Sequence, residues 1–245
     1  MIAVTFALPA ESSEFLRRLR DKSHTDRDGV RAIRGKIEDG AIEVLHTGVG
    51  EKICRQRLGK FLSARRTAER IRGGEQGQQF DCLISAGFAG ALDNGLTIGD
   101  LLLAENFSTV RLSETRASLS GLHIRIANLL TVPALIDSPE ERNKLALTSG
   151  AVAADMETEF IARACAACGI PLLSLRVISD TPQHRLPAPA NVLFDIERQQ
   201  TRMLKLATHL LAHPSRIPRL VHFARQIAHV RKTLATALVE VVRGL

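Results

Sequence analysis

Apolar residues run unbroken from Ile2 to Leu8 and give way to Pro9-Ala10-Glu11. That pattern predicts a buried strand followed by a helix from Glu11 to about Leu19. Two antiparallel strands, Val30–Glu38 and Ala41–His46, are expected next, joined at Asp39-Gly40, a pair that favours a hairpin turn. Thr47-Gly48-Val49-Gly50 then leads into a helix with Ile53, Leu58, Phe61 and Leu62 on one face, and Gly73 to Gln79 reads as a polar loop. Cys82–Ala86 reads as a buried strand ending in Gly87-Phe88-Ala89-Gly90, and Leu101–Ala104 as another after Gly99-Asp100. Ser138-Pro139 marks a helix start, with Ser as N-cap and Pro at the first helical position. Ala151–Ala154 is a short strand running into an apolar helix, Phe160–Cys168, and Pro171–Ile178 is a continuous apolar strand that stops at Ser179-Asp180. Leu186-Pro187-Ala188-Pro189-Ala190 is the one proline-rich break, and everything after it reads as helical.

Strands alternating with helices predict a single α/β domain with a mixed, twisted central sheet flanked by helices, and a helical C-terminal extension. We place the domain at 1–213 and the extension at 214–245. In the extension, Leu220, Phe223, Ile227, Val230, Leu234, Leu238 and Val241 recur every three or four residues between arginines. This stripe either packs on the domain or a second subunit, or rests on an anionic membrane surface.

Composition narrows the picture. At 245 residues with 45% hydrophobic content, the chain can bury a sizeable core, and no stretch reaches the roughly 18 apolar residues of a membrane span. Four cysteines, including the lone Cys165–Cys168 pair, lack a second pair or histidine cluster to complete a metal site. A cytoplasmic protein is expected, with contact to a membrane surface through residues 214–245 as the alternative course of the basic stripe. A net charge of +7 invites nucleic acid, but Trp and Tyr are absent and Phe does not alternate with basic residues, so no nucleic-acid partner is expected.

The candidate chemistry lies where strands end. Glu11 follows the first strand, Asp155-Met156-Glu157 follows the short one, and Asp180 ends the long apolar run. Open α/β sheets bind ligands outside the carboxyl ends of their strands, so acids there are placed to react. Arg176, one strand period before Ile178, is a candidate to pair with one of them.

Six segments in order carry a resemblance: Ala7-Leu8-Pro9-Ala10-Glu11, Thr47-Gly48-Val49-Gly50-Glu51-Lys52, Ser85-Ala86-Gly87-Phe88-Ala89-Gly90, Leu96-Thr97-Ile98-Gly99-Asp100, Asp155-Met156-Glu157 and Ser179-Asp180. With these the chain resembles the purine nucleoside phosphorylase/nucleosidase superfamily, in particular the methylthioadenosine/S-adenosylhomocysteine nucleosidases. The resemblance implies that Glu11 activates water, that Met156 and Glu157 hold the ribose hydroxyls, and that Asp180 serves the purine at N7. It places Gly87, Phe88, Leu135, Ile136 and Ser179 around the substrate, with no metal or organic cofactor. The implied activity is hydrolysis of a 5′-substituted adenosine, with the phosphate-dependent reaction and a non-catalytic nucleoside-binding protein as alternatives. A homo-oligomer and a small purine nucleoside partner are implied as well. Three departures stand out. Phe88 occupies a position typically held by Ser, Leu135 replaces an aromatic, and the stretch between Leu103 and Leu130 is short. The short centre and the basic tail resemble the hopanoid-associated nucleosidases, which implies a lipid-bearing adenosine as an alternative substrate.

Overall fold

The structure, a computed structural model, describes residues 1–27, 29–71, 80–184, 194–195, 200–201 and 217–245. In chain order the elements are β1 (Ile2–Phe6), α1 (Pro9–Arg18), β2 (Arg20–Arg27), β3 (Val30–Ile37), β4 (Gly40–His46), α2 (Glu51–Ile71), β5 (Cys82–Ala91) and β6 (Leu101–Ala104). They continue with α3 (Leu112–Ser118), β7 (Ile124–Ala127), β8 (Leu129–Thr131), α4 (Pro139–Ser149), β9 (Ala153–Asp155), α5 (Thr158–Cys168) and β10 (Leu172–Asp180). A short pair, β11 (Phe194–Asp195) and β12 (Gln200–Thr201), precedes the last helix, α6 (Ile217–Gly244).

Ten strands form one mixed sheet in the order β2-β3-β4-β1-β5-β10-β6-β7, and β9 joins β5 to β8 beside that path. The centre is parallel: β1 pairs with β4 and β5, and β5 with β10. Helices cover both faces, so the central strands read as continuous apolar runs. Alternation decides which helix each side chain meets. Ile2, Val4 and Phe6 point with Leu173, Leu175 and Val177 toward one cluster, which includes Phe15 of α1 and Val230, Leu234 and Leu238 of α6. Ala3, Leu45, Leu83 and Leu172 point the other way, to Cys54, Leu58 and Phe61 of α2 and Ile161 and Cys165 of α5.

Several expectations change in physically readable ways. The first helix begins at Pro9, whose fixed φ and missing N–H suit a first helical position, so the strand stops at Phe6 and Glu11 sits in the first turn of α1. The Gly87–Gly90 segment lies inside β5 rather than beyond its end. β2, Arg-Asp-Lys-Ser-His-Thr-Asp-Arg, was not expected. It is an edge strand whose charges discourage pairing with another chain. Helix alone does not follow the proline-rich break, because β11 and β12 pair antiparallel there. The break itself and the polar loop at 73–79 lie outside the described residues.

Helix α6 takes the first of the two courses open to its stripe. Val230, Leu234, Leu238 and Val241 are fully buried in the main cluster, while Leu220, Phe223 and Ile227 are half-buried. Polar contacts hold the helix in place. Arg18 donates to Thr236 Oγ1 at 2.9 Å, and Arg243 pairs with Glu38 at 2.9 Å. That half of the stripe is core and has no apolar face left for a bilayer. No helix among the described residues is long and apolar enough to cross a membrane.

Candidate active site

Glu11 is fixed by its own turn and by the neighbouring strand. Its Oε2 accepts the Ala7 and Leu8 N–H groups at 3.0 and 3.1 Å, and its Oε1 accepts Phe88 N–H at 3.4 Å. Burial pushes its carboxyl above the usual range, while those N–H groups and the charge of Arg176 pull it back. The turn is braced from behind. Ser12 Oγ donates to the Pro9 carbonyl at 3.1 Å and so accepts from His46 Nε2 at 2.7 Å. Burial, helped by Arg57, lowers His46 to about 4, which keeps it neutral in that role.

Glu157 stands at the N-cap of α5, and its Oε1 accepts the Gly50 N–H at 2.9 Å. Gly48 and Gly50 have φ of 82° and 86°, a left-handed backbone that suits glycine and lets the loop before α2 turn its amide toward the carboxylate. Burial, and then the charge of Asp155, push Glu157 up to about 8. Met156 beside it is buried.

Arg176 and Asp155 form the electrostatic spine between these acids. Asp155 Oδ2 meets Arg176 Nε at 3.0 Å and Nη2 at 2.9 Å, and Asp155 also accepts from Thr131 Oγ1, Thr158 N and Thr158 Oγ1. The other Arg176 donors go to Ser85 O, Leu175 O, Ser85 Oγ and Thr158 Oγ1. These contacts occupy all five N–H groups of the guanidinium. Arg176 does pair with an acid, and the acid is Asp155.

Glu11, Gly87, Phe88, Glu157 and Arg176 line one small cavity with Thr47 and Ser85, of about 10 Å³. The Phe88 ring, half-buried, packs on the main core cluster, while its backbone N–H faces Glu11. Asp180, Ser179 and Ile136 form a second group. Asp180 ends β10 opposite Gly90, accepts from Ser179 Oγ at 2.7 Å, and is ion-paired with Arg142, which also donates to the Ile136 carbonyl. Leu135, next to Ile136, is exposed. Sequence reading missed Arg142, Ser85, Thr131 and Thr158. A signal existed for Arg142, since a cation in a helix's first turn opposes the helix dipole and needs some other partner.

Comparison with known proteins follows the same lines. The sequence model of the phosphorylase superfamily matches residues 108–212. The 5′-methylthioadenosine/S-adenosylhomocysteine nucleosidase from S. pneumoniae is 16% identical, superposes with a TM-score of 0.68, and covers 99% of this chain and 98% of its own. The chain carries the fold of the phosphorylase superfamily. Within that fold, the Helicobacter pylori methylthioadenosine nucleosidase is 17% identical with a TM-score of 0.69, covering 100% of this chain and 99% of its own. The futalosine hydrolase of Helicobacter pylori is 16% identical with a TM-score of 0.68, covering 100% and 97%. No curated protein sequence matches the chain. These neighbours are nucleosidases and hydrolases that share the superfamily fold.

Proposed function

We propose that this protein is a purine nucleosidase that hydrolyses the N-glycosidic bond of a 5′-substituted adenosine. The observation that carries this reading is the cavity between Glu11, Glu157 and Arg176. Its 10 Å³ matches about one water molecule, with Glu11 positioned to accept the water's proton. A phosphate there would meet Glu11 and Glu157, and the nearby guanidinium has already spent its donors on Asp155, Ser85, Thr158 and a strand carbonyl. Water therefore fits as nucleophile, and phosphate does not.

The remaining roles follow from the bond to be broken. Departure of the base leaves an oxocarbenium-like sugar and an electron-rich purine. Glu11, raised toward neutrality by burial, is a better-matched base for water than an ordinary carboxylate. Glu157, with Met156 beside it, holds the ribose hydroxyls through its carboxyl oxygens. Asp180 serves N7 of the base, braced by Ser179, while Leu135 and Ile136 cover the purine face. An aliphatic Leu135 forgoes about 0.5–1.5 kcal/mol of aromatic stacking. The neighbours' substrates favour a 5′-thio group, and the burial of the α6 stripe removes an argument for a lipid-bearing nucleoside. A panel of adenosines differing at the 5′ position, incubated with and without phosphate, tests the proposal by chromatography of the released base. Release of adenine from none of them would remove it.

A further inference from the structure

The loop between β4 and α2 reaches both acids of the cavity. β1 and β4 end together, with His46 opposite Phe6. The next two residues stay bound to the first segment, Thr47 N donating to the Phe6 carbonyl at 2.8 Å and Gly48 N to the Ala7 carbonyl at 3.0 Å. Gly50 then gives its N–H to Glu157 Oε1, while its carbonyl accepts Cys54 N–H at 3.1 Å and so ties it to the first turn of α2. Arg57 of α2 closes the loop by donating to the His46 carbonyl at 3.3 Å. The backbone part of this strap stops at Ala7. Beyond it, a side chain carries the link on to α1, His46 Nε2 donating to Ser12 Oγ at 2.7 Å. Ser12 is fully buried and donates its own proton to the Pro9 carbonyl, so the ring nitrogen supplies the other. Neither His46 nor Ser12 lines the cavity.

Glu11 alone cannot hold its turn throughout a reaction. Leu8, at the N-cap of α1, offers no side-chain acceptor, and the Ala7 and Leu8 N–H groups are capped by Glu11 itself. A cap and a general base make opposed demands on one carboxylate, because the proton taken from water removes the charge that draws those N–H groups. The His46–Ser12 bond does not depend on that charge. We propose that residues 46–50 form a strap that fixes Glu11 relative to Glu157, and that His46 is its positioning residue, keeping the first turn of α1 in place while Glu11 takes the proton. The inference rests on the nucleosidase reading above and adds to it a residue that acts through Ser12 rather than on the nucleoside.

Steady-state rates with whichever 5′-substituted adenosine the wild type cleaves fastest test this, with a melting curve confirming each fold. His46→Ala and Ser12→Ala should each lower kcat by about tenfold or more and leave KM within about threefold, since the base is misplaced and the nucleoside contacts are not. The double variant should be no slower than the singles within about threefold, because the two residues act as one link. His46→Gln, whose terminal amide N–H can replace the Nε2–H, should recover kcat to within about threefold of the wild type. Folded single variants that keep the wild-type kcat, or that change KM alone, overturn the proposal and mark the pair as structural. Losses that multiply in the double variant, or a His46→Gln as slow as His46→Ala, are equally contrary. Should His46→Ala not fold, Ser12→Ala decides by the same criterion. If the wild type cleaves no adenosine, the functional reading fails and the inference with it. An active wild type with unaffected variants removes the inference alone.

Discussion

Four buried acids near the strand ends have four different sets of partners, and their behaviour follows from those partners. Asp155 and Asp180 each face a guanidinium, Glu11 has three backbone N–H groups, and Glu157 has one. Glu157 is the most poorly compensated, which gives it an unusual effect on stability. Its carboxyl binds a proton up to about pH 8 in the fold but only to about 4.5 in the unfolded chain, so the fold loses stability as pH rises across that window. Glu157→Gln can still accept from Gly50 and has no charge to bury. Chemical denaturation should therefore show the variant gaining on the wild type from pH 5 to pH 9 by an amount on the order of a few kcal/mol. A difference that stays flat with pH would show that Glu157 is already ionised. Glu11→Gln should lower kcat by about 10²–10⁴ while leaving the affinity for substrate nearly unchanged, because only the water step loses its base. Initial rates and a binding isotherm together distinguish that from a role in holding the nucleoside. In the wild type, kcat/KM should fall on the acid side at a pH above the ordinary carboxylate value, since a general base is lost when it is protonated and burial raises Glu11. Glu11, Glu157 and Asp180 were legible in the sequence because each interrupts or ends an apolar run. Arg142 was passed over because Glu-Glu-Arg at a helix start has the composition of a solvated surface, which masks the one signal, a cation set against the helix dipole.

At the scale of elements, legibility tracks periodicity. β6 was expected at its observed bounds and β10 nearly so, because strands buried on both faces are apolar throughout. The N-terminal cap of α4 also formed as read, with Ser138 Oγ accepting from Glu141 N at 3.2 Å. β2 escaped because an all-polar edge strand has no hydrophobic alternation to detect. β5 was expected to end where the glycines begin, whereas Gly87 and Gly90 continue the strand and let it pass close to Glu11 and Asp180. Gly90→Ala should consequently disturb the Arg142–Asp180 pair, lowering activity more than thermal stability, as rate and melting measurements on one preparation would show. Helix α6 was read correctly in pattern, but pattern alone could not say what the stripe touches. With Leu234 fully buried in the main cluster, Leu234→Ala should cost about 2–5 kcal/mol by denaturant titration. A cost near zero would mean that the helix is not part of the core.

Across the whole molecule, the parallel centre of the sheet gathers the site. β1, β5 and β10 lie side by side, so residues as far apart in sequence as Glu11 and Arg176 line one cavity. The segment order of a resemblance can suggest that gathering, but the size of the cavity and the saturation of Arg176 appear only once the strands are in register. The net charge of +7 has no comparable effect on the site, where acidic groups outnumber the single guanidinium at the cavity. On the proposed function, the nucleophile is a water molecule held in the small space beside Glu11. The most direct measurement is a single turnover of 5′-methylthioadenosine in phosphate-free buffer made with ¹⁸O-labelled water, followed by mass spectrometry of the sugar product. The account predicts release of adenine and a free sugar carrying ¹⁸O at its anomeric carbon, at a rate unchanged by added phosphate. A reaction that waits for phosphate and yields the sugar 1-phosphate without the label would contradict it.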